Sequence, residues 1–337
     1  MFRSSPGCRR RRLALSTKST KKAALLCGAL LFEKPGWLPA ATPLEPAQFA
    51  FQAAIGREPG VTRRDPSDVI RVGEAYYVWY SNVRDGPGVF QYPSGYSAEV
   101  WYATSPDGHV WTEQRKAIGK GGAGAWDEHG VFTPNILIFR GKFYLYYTAV
   151  AAGHGATTPT HIGGAVADSP AGPWRKFAGN PVLSPSADPT QFDSMRVDDA
   201  ALLVRGGRVW LYYKGRQQEK SPAETRMGVA MADLPTGPFV KHGQPLHSGH
   251  EVVIWPQGGG VASLASAAGP RMIYFASDGL HFEPRQAVKN SPAAPGALRS
   301  DQFENNAARN GLRWGISHTA RGGDLYLERF DRLREPP

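Results

Sequence analysis

Cysteine is scarce in this sequence: the 337 residues include two, Cys8 and Cys27. Because both lie near the start of the chain, the remainder has no thiol, which excludes a disulfide framework and a cysteine metal site there. Long apolar runs are also scarce. The apolar segment 23–32 is too short to span a bilayer, so we expect no membrane span. No window shows a sustained 3.6-residue periodicity, which disfavours a helical fold.

The net charge of +10 is distributed unevenly along the chain. Eight cationic side chains and no acidic ones occupy the first 22 residues: Arg3, Arg9, Arg10, Arg11, Arg12, Lys18, Lys21 and Lys22. When these eight are subtracted, the rest of the chain carries a net charge of +2. Such a small charge gives no broad basic surface for nucleic acid, so we expect no nucleic-acid partner.

The first 41 residues resemble an export signal. The basic region is followed by the apolar segment 23–32 and by Leu38–Ala41, whose small residues suit a cleavage site. Residues 1–41 are therefore predicted to be a signal or leader segment, which would place the protein in the periplasm or outside the cell. Glu33-Lys34 interrupts the apolar run early, and the alternative is a wrongly assigned start codon. Residues 42–60 are predicted to be a short N-terminal linker.

Past residue 47 the chain repeats itself. Each repeat has a turn glycine followed by an aromatic strand, and these strands end in Tyr80, Tyr147, Tyr213 and, in a weaker copy, Phe275. The four residues are 67, 66 and 62 positions apart. Another strand follows each copy and ends in a polar turn, such as 106–108, before an aromatic residue. A long regular period of β-strands is typical of radially repeated sheets.

Four full units with a period near 65 and a shorter fifth fit into the body of the chain. The fifth unit contains Arg313–His318 and Asp324–Leu327. We therefore predict an all-β fold, a five-bladed β-propeller over residues 61–337. A β-sandwich is the competing fold, and the long period disfavours it.

Polar segments precede the predicted inner strands. Asp65 heads the first unit, and segments 126–134, 192–199 and 247–251 head the next three. In a propeller the inner strands run beside the central axis, so their leading residues meet at one mouth. Acidic residues far apart in sequence would then share a pocket. The alternative is a set of solvated loops, and this convergence favours a catalytic site.

Several of these segments resemble glycoside hydrolase family 117. They are Arg63–Ser67, Trp101–Ser105, Val131–Asn135, Phe192–Ser194, Leu211–Gly215 and Ser248–Val252. The resemblance implies an inverting, exo-acting propeller enzyme that releases 3,6-anhydro-α-L-galactose from the non-reducing end of agar-derived oligosaccharides. Any one motif alone would also fit the wider group of five-bladed glycosidases acting on arabinans, xylans or fructans. A propeller that binds sugar without catalysis is a further alternative.

The resemblance also implies roles for four residues. Asp65 matches the general base that activates water, and Asp199 matches a second carboxylate that tunes the acid and stabilises the oxocarbenium-like transition state. His250 matches the general acid, and its neighbour Glu251 is the other candidate. Histidine has a pKa near the working pH without special tuning, which suits an acid.

Five further residues are candidates for binding the sugar. They are Arg64, Trp126, Asp127, Thr133 and Lys214. Trp126 could stack on a sugar face, although most tryptophans in such a fold belong to the core. Lys214 could reach the central channel or extend to solvent.

No cofactor is expected to be required. The wider group suggests a structural divalent cation, with His318 as a candidate ligand, although no ligand spacing in the sequence defines such a site. The chain departs from the family where Asp198-Asp199-Ala200 replaces His-Asp-Pro. In addition, Pro46–Gly60 is shorter than the helical segment through which family members dimerise. The oligomeric state is therefore left open, with a homodimer as one alternative.

Overall fold

A computed structural model of the chain describes five segments: 44–84, 91–267, 269–299, 311–320 and 324–333. The predicted leader, residues 1–41, lies outside the described residues. Regular structure in these segments is almost entirely β-strand, apart from one-turn 3₁₀ helices at Ser94–Tyr96 and Pro222–Glu224. Across the described residues, no helix is long and apolar enough to cross a membrane.

The strands form five small sheets, which are the five blades of a β-propeller, as predicted. The chain begins with β1 (Phe49–Ile55). Blade 1 contains β2 (Thr62–Arg64), β3 (Ile70–Val72), β4 (Ala75–Val83), β5 (Glu99–Ser105) and β6 (Thr112–Ile118). Blade 2 contains β7 (Gly130–Phe139), β8 (Lys142–Val150), β9 (His161–Ala167) and β10 (Arg175–Lys176).

The remaining blades follow in chain order. Blade 3 contains β11 (Arg196–Arg205), β12 (Arg208–Arg216), β13 (Arg226–Ala232), β14 (Val240–Lys241) and β15 (His247–Ser248). Blade 4 contains β16 (His250–Gln257), β17 (Gly260–Ala267), β18 (Met272–Ala276) and β19 (Glu283–Ala287). Blade 5 contains β20 (Ala293–Ala297), β21 (Trp314–Thr319) and β22 (Tyr326–Arg332), and β1 completes it.

The ring is closed by pairing the two ends of the described chain. Strand β1 pairs antiparallel with β22, with Phe49 opposite Arg332. The predicted linker 42–60 therefore contains the outermost strand of blade 5, and the propeller begins before residue 61. Sequence reasoning missed this strand because its partner lies more than 270 residues away and no local pattern marks the pairing.

Aromatic pairs on the second strands of the first three blades build much of the core. All six side chains are fully buried: Trp79, Tyr80, Tyr146, Tyr147, Tyr212 and Tyr213. The first residue of each pair faces the next blade. Tyr146 donates to the carbonyl of Pro235 at 2.5 Å, and Tyr212 donates to that of Gly279 at 3.0 Å. Complete burial of side chains of this size contributes about 1.5–3 kcal/mol each, so these residues stabilise the joints between blades.

The fourth aromatic copy predicted from sequence was assigned to the wrong strand. Met272–Ala276, which contains Phe275, is the third strand of blade 4, whereas the second strand is Gly260–Ala267. The second strand of blade 4 has small residues where blades 1 to 3 have their aromatic pair. The neighbouring strand therefore supplied the aromatic signal, although the number of blades was correct.

Candidate active site

Each of the five inner-strand regions has one non-glycine residue in the left-handed backbone conformation. The residues are Asp65 (φ 49°), Thr133 (42°), Asp199 (53°), Glu251 (54°) and Ala294 (41°). This conformation costs a side-chain-bearing residue on the order of 1–3 kcal/mol and is often found at functional sites. All five residues line one central cavity, and three of them carry a carboxylate.

The sequence analysis expected the polar residues ahead of the inner strands. Thr133, Asp199, Glu251 and Ala294 instead lie within these strands. In blades 2, 3 and 5 the pairing register of the inner strand shifts at the left-handed residue. In blade 1 the residue lies in the break between β2 and β3. A bulge or break interrupts the regular alternation of side chains. The left-handed residue can therefore present its side chain to the central cavity.

Neighbouring blades fix several of these backbone positions. Three left-handed N–H groups donate to a side chain on the second strand of the preceding blade: Asp65 to His318 Nδ1 at 3.2 Å, Thr133 to Ser81 Oγ at 2.8 Å, and Asp199 to Thr148 Oγ1 at 3.3 Å. In blade 4 the corresponding residue is Ala267, which has no side-chain acceptor. The N–H of Ala294 on blade 5 therefore donates to a different side chain of blade 4, Glu251 Oε2, at 3.3 Å. The site is therefore assembled across the blade boundaries.

The cavity has a volume of about 460 Å³ and opens at the centre of the propeller. Its acidic and basic lining residues are Arg64, Asp65, Arg196, Asp198, Asp199, Lys214, Arg216, His250 and Glu251. Tyr92, Tyr96, Phe132 and Pro134 add an apolar wall. A concave site with an apolar wall and a few converging polar groups has the features expected of a small-ligand pocket.

Asp65 is held as an anion. Its carboxylate forms an ion pair with Arg64, and its Oδ1 lies 3.4 Å from His318 Nδ1. Burial alone would raise the pKa of Asp65, but the charge of Arg64 and the contact with His318 lower it well below its usual range. A buried, ionised carboxylate facing a cavity can accept a proton from water.

Asp198 and Asp199 share one ammonium group. Lys214 Nζ lies 2.9 Å from Asp198 Oδ1 and 2.7 Å from Asp199 Oδ2. Burial raises the pKa of Asp199 to about 7, with Asp198 adding to the rise and Lys214 opposing it. Burial opposes protonation of Lys214, but the two carboxylates raise its pKa overall. Since two carboxylates compete for one cation, Asp199 can hold a proton near neutral pH.

His250 and Glu251 face the same cavity from blade 4. The charge of Lys214 and then burial lower the pKa of His250 to about 4, although Glu251 opposes this shift. The imidazole is therefore neutral at neutral pH in the free protein. Glu251 has the backbone conformation of Asp65 and Asp199, so it is the blade 4 counterpart of those two carboxylates.

The cavity also contains residues that sequence analysis missed. Arg196 and Arg216 lie on its wall, beside Tyr92 and Tyr96, which stack with ring centroids 4.7 Å apart. Arginines in a strand are usually taken as solvent-facing, and Tyr92 precedes a one-turn helix in a loop. A signal was present in the two-residue spacing of Arg196 and Asp198, which puts both on one face of a strand.

Two predicted sugar-binding residues are not among those that line the cavity. Trp126 stacks on Tyr147 with centroids 6.1 Å apart, and Asp127 is buried and bonded to Lys176 Nζ at 2.6 Å. Their aromatic and ionic contacts support the fold of blade 2, and the structure does not bring them to the cavity. In contrast, it does bring Arg64, Thr133 and Lys214 to the cavity, together with the four predicted catalytic residues.

The sequence analysis named His318 as a candidate ligand of a structural divalent cation. Among the residues in the described segments, no three His, Cys, Asp or Glu side chains group in a way that could hold a metal ion. His318 instead faces the backbone N–H and the carboxylate of Asp65, in the position that Ser81 and Thr148 occupy in blades 1 and 2. This placement supports a positioning role, and no step is assigned to a metal.

Comparisons with known proteins agree with this geometry. The family model for glycosyl hydrolases family 43 matches residues 60–201. A family 117 glycoside hydrolase produced by the marine bacterium Zobellia galactanivorans is 30% identical, with a TM-score of 0.78, over 86% of this chain and 93% of that one. No curated protein sequence matches.

More distant structures share the fold alone. Fructan 1-exohydrolase IIa from Cichorium intybus is 13% identical with a TM-score of 0.60, over 83% of this chain and 57% of that one. An endo-arabinase from Bacteroides thetaiotaomicron is 12% identical with a TM-score of 0.55, over 85% of this chain and 98% of that one.

The fold and the cavity with its four carboxylates define a propeller-type glycoside hydrolase. The sequence identity to the Zobellia galactanivorans enzyme, and the share of both chains that it covers, identify the family within this class. The chain belongs to glycoside hydrolase family 117.

Proposed function

We propose that this chain is an inverting, exo-acting glycosidase that releases 3,6-anhydro-α-L-galactose, or a closely related sugar, from the non-reducing end of agar-derived oligosaccharides. The observation that carries the proposal is the meeting of Asp65, Asp199 and Glu251, from three blades, in one cavity. Membership of family 117 supports the substrate class. The catalytic roles follow from the charge state and contacts of each group.

Asp65 acts as the general base. The ion pair with Arg64 and the contact with His318 keep its carboxylate charged, so it can take a proton from the attacking water. In an inverting reaction, that water attacks from the face opposite the leaving group, and the base and acid stand about 6.5–9.5 Å apart to leave room for it.

Asp199 and Lys214 balance charge as the transition state forms. Positive charge develops at the anomeric carbon, and the carboxylates around Lys214 stabilise it. The raised pKa of Asp199, about 7, lets this residue lose a proton as the cation develops. Lys214 limits the repulsion between Asp198 and Asp199, which are its partners at 2.9 Å and 2.7 Å.

Glu251 acts as the general acid, and His250 binds the sugar beside it. The sequence favoured His250 for this role. Lys214 and burial lower the pKa of His250 to about 4, so bound substrate would have to restore its proton, and the choice of Glu251 rests on its geometry. Glu251 shares the left-handed conformation of the other two carboxylates and the same cavity.

The proposal is tested by identifying the sugar that the protein releases. Oligomers of agar, carrageenan, porphyran, arabinan and xylan are incubated with the native protein and with Asp65→Asn, and products are separated by chromatography. We expect stepwise release of 3,6-anhydrogalactose from agar oligomers, initially as the anomer of inverted configuration by NMR. Release of arabinose or xylose would place the enzyme with the arabinan or xylan glycosidases. Binding without release from any oligomer would indicate a sugar-binding propeller.

A further inference from the structure

Two arginines lie directly opposite each other on the wall of the cavity. Arg196 on β11 pairs with Arg216 on β12, and the next pair on the same face is Asp198 with Lys214. Both arginines line the cavity and are more than nine-tenths buried, with exposed fractions of 5% and 7%. Like charges directly opposite in a sheet repel, and burial makes an uncompensated charge costly.

Neither arginine forms an ion pair with a carboxylate in the described part of the chain. Arg196 donates to the carbonyls of Gly155 at 2.8 Å and Ala156 at 3.0 Å, and to the hydroxyl of Tyr92 at 3.2 Å. These contacts fix the guanidinium without neutralising it. The nearby carboxylate, Asp198, is bonded to Lys214. The Nε atoms of Arg196 and Arg216 are buried without a hydrogen-bond partner among the described residues.

The positive charge of the two arginines also shifts the pKa of neighbouring groups. Burial and the charge of Arg196 lower the pKa of His154 to about 4, and they also lower the pKa of Arg216. Burial opposes ionisation of Tyr92, but the hydrogen bond with Tyr96 and the charges of both arginines lower its pKa overall. An anion placed between the two guanidinium groups would relieve this repulsion.

We propose that Arg196 and Arg216 form a subsite for an anionic substituent of the oligosaccharide, either a carboxylate or a sulfate ester. Arginine suits this task because its planar fork donates two parallel hydrogen bonds to such groups. The pair lies two residues, about 7 Å, along the strand from Asp198 and Lys214, so a substituent on the sugar bound at the carboxylates reaches it. This inference deepens the proposed function and rests on it, since the same cavity holds the sugar.

The test measures binding without turnover. In the Asp65→Asn protein, which keeps the fold but lacks the base, isothermal titration calorimetry compares galactose 6-sulfate, galacturonate and galactose at low salt. We expect at least tenfold tighter binding of one charged sugar than of galactose, and the stronger of the two identifies sulfate or carboxylate. This preference should shrink as the salt concentration rises.

Further variants in the same background assign the preference to the arginines. Arg216→Gln and Arg196→Gln should each remove the preference for the charged sugar over galactose, and Arg216→Lys should retain part of it. The matched control is Arg208→Gln on the same strand, whose partner is the exposed Asp233, and it should keep the full preference. Melting temperatures confirm that each variant is folded.

Equal affinity for all three sugars, or a preference that survives both glutamine variants, would overturn the inference. The experiments distinguish failure of the proposed glycosidase function from failure of the proposed anionic subsite. A charged-sugar preference that depends on the arginines, together with no release of 3,6-anhydrogalactose from any oligomer, would refute the proposed function and keep the subsite.

Discussion

His318 Nδ1 lies 3.2 Å from the backbone nitrogen of Asp65 and 3.4 Å from its carboxylate Oδ1. One ring nitrogen can serve only one of these contacts at a time. When Nδ1 carries no hydrogen, it accepts from the backbone N–H, whereas an Nδ1 that carries a hydrogen, in the neutral or the charged ring, donates to the carboxylate. His318 therefore positions the proposed base from the neighbouring blade, and the hydrogen on Nδ1 decides which of the two contacts it makes.

Two substitutions separate positioning by His318 from metal binding. Asparagine places a carbonyl acceptor near the location of Nδ1 but cannot become charged, whereas alanine removes the contact. We expect His318→Ala to lower kcat about tenfold, which corresponds to ~1.4 kcal/mol, and His318→Asn to retain most of it. Steady-state kinetics of both variants and of EDTA-treated native enzyme provide the test. Wild-type kcat in His318→Ala, or inactivation by EDTA that added cation reverses, would contradict the positioning role.

Asp65→Asn should abolish turnover while preserving the fold. The amide has the shape of the carboxylate but cannot accept a proton from water. Loss of a general base lowers the rate by about 10²–10⁴-fold. The measurement is kcat on the substrate found in the oligosaccharide panel, with circular dichroism as the check on folding. Asp168→Asn, which changes an exposed carboxylate, is the control and should have native activity. An Asp65→Asn protein with most of its kcat would remove Asp65 from the role of base.

The sequence predicted the number of blades because buried aromatic residues recur at fixed spacing. Tyr80, Tyr147 and Tyr213 occupy equivalent places on β4, β8 and β12. The prediction was wrong about the strand where blade 4 lacks the aromatic pair. It also missed the closing strand Phe49–Ile55. Local patterns record burial, and they do not record which distant strands pair.

The candidate site was predicted to a similar extent. Asp65, Asp199, His250 and Glu251 were expected to converge, and the structure places all four around one cavity. Their catalytic roles stay predictions. The left-handed conformation at five equivalent positions was not visible in the sequence. Thr133 and Ala294 share it with the three carboxylates, so no single residue type marks these positions.

The predicted leader has a direct test. If residues 1–41 are removed on export, the mature protein begins near Thr42 and contains neither cysteine. We expect intact-mass measurement of protein from its native host to show this shortened chain, and thiol labelling under denaturing conditions to give no signal. A full-length mass in the native protein would rule out cleavage.

The pKa of Asp199 predicts a pH-dependent stability. It rises from the usual 3.8 to about 7 in the folded chain, so between these values the folded state holds a proton that the unfolded state has lost. The contribution of Asp199 to stability is therefore present below pH 4 and is lost as the pH rises through about 7. Asparagine at this position removes the ionisation.

We expect the melting temperature of Asp199→Asn, relative to native protein, to be higher at pH 8 than at pH 4 by at least about 2 °C. Asp233→Asn changes an exposed carboxylate and should shift both melting temperatures equally. Differential scanning calorimetry at the two pH values is the measurement. Equal differences for Asp199→Asn at both values would mean that its pKa is not raised.

The last prediction separates Glu251 from His250 as the acid. The proton of a general acid matters most when the leaving group is poor, because that proton stabilises the departing oxygen. Replacing the true acid should therefore strongly reduce turnover of natural oligosaccharides and largely spare an aryl glycoside with an acidic phenol. Replacing a residue that only binds the sugar should weaken both substrates alike.

We expect Glu251→Gln to show the selective loss, on the order of 10²-fold or more on the oligosaccharide, and His250→Gln to show the uniform one. The reason is geometric: Glu251 is the carboxylate of blade 4 in the same left-handed conformation and the same cavity as Asp65 and Asp199. The measurement is kcat/KM for both substrates from pH 4 to 8. Selective loss in His250→Gln would instead assign the acid to His250, as the sequence first indicated. Bound substrate would then have to restore the proton of the imidazole.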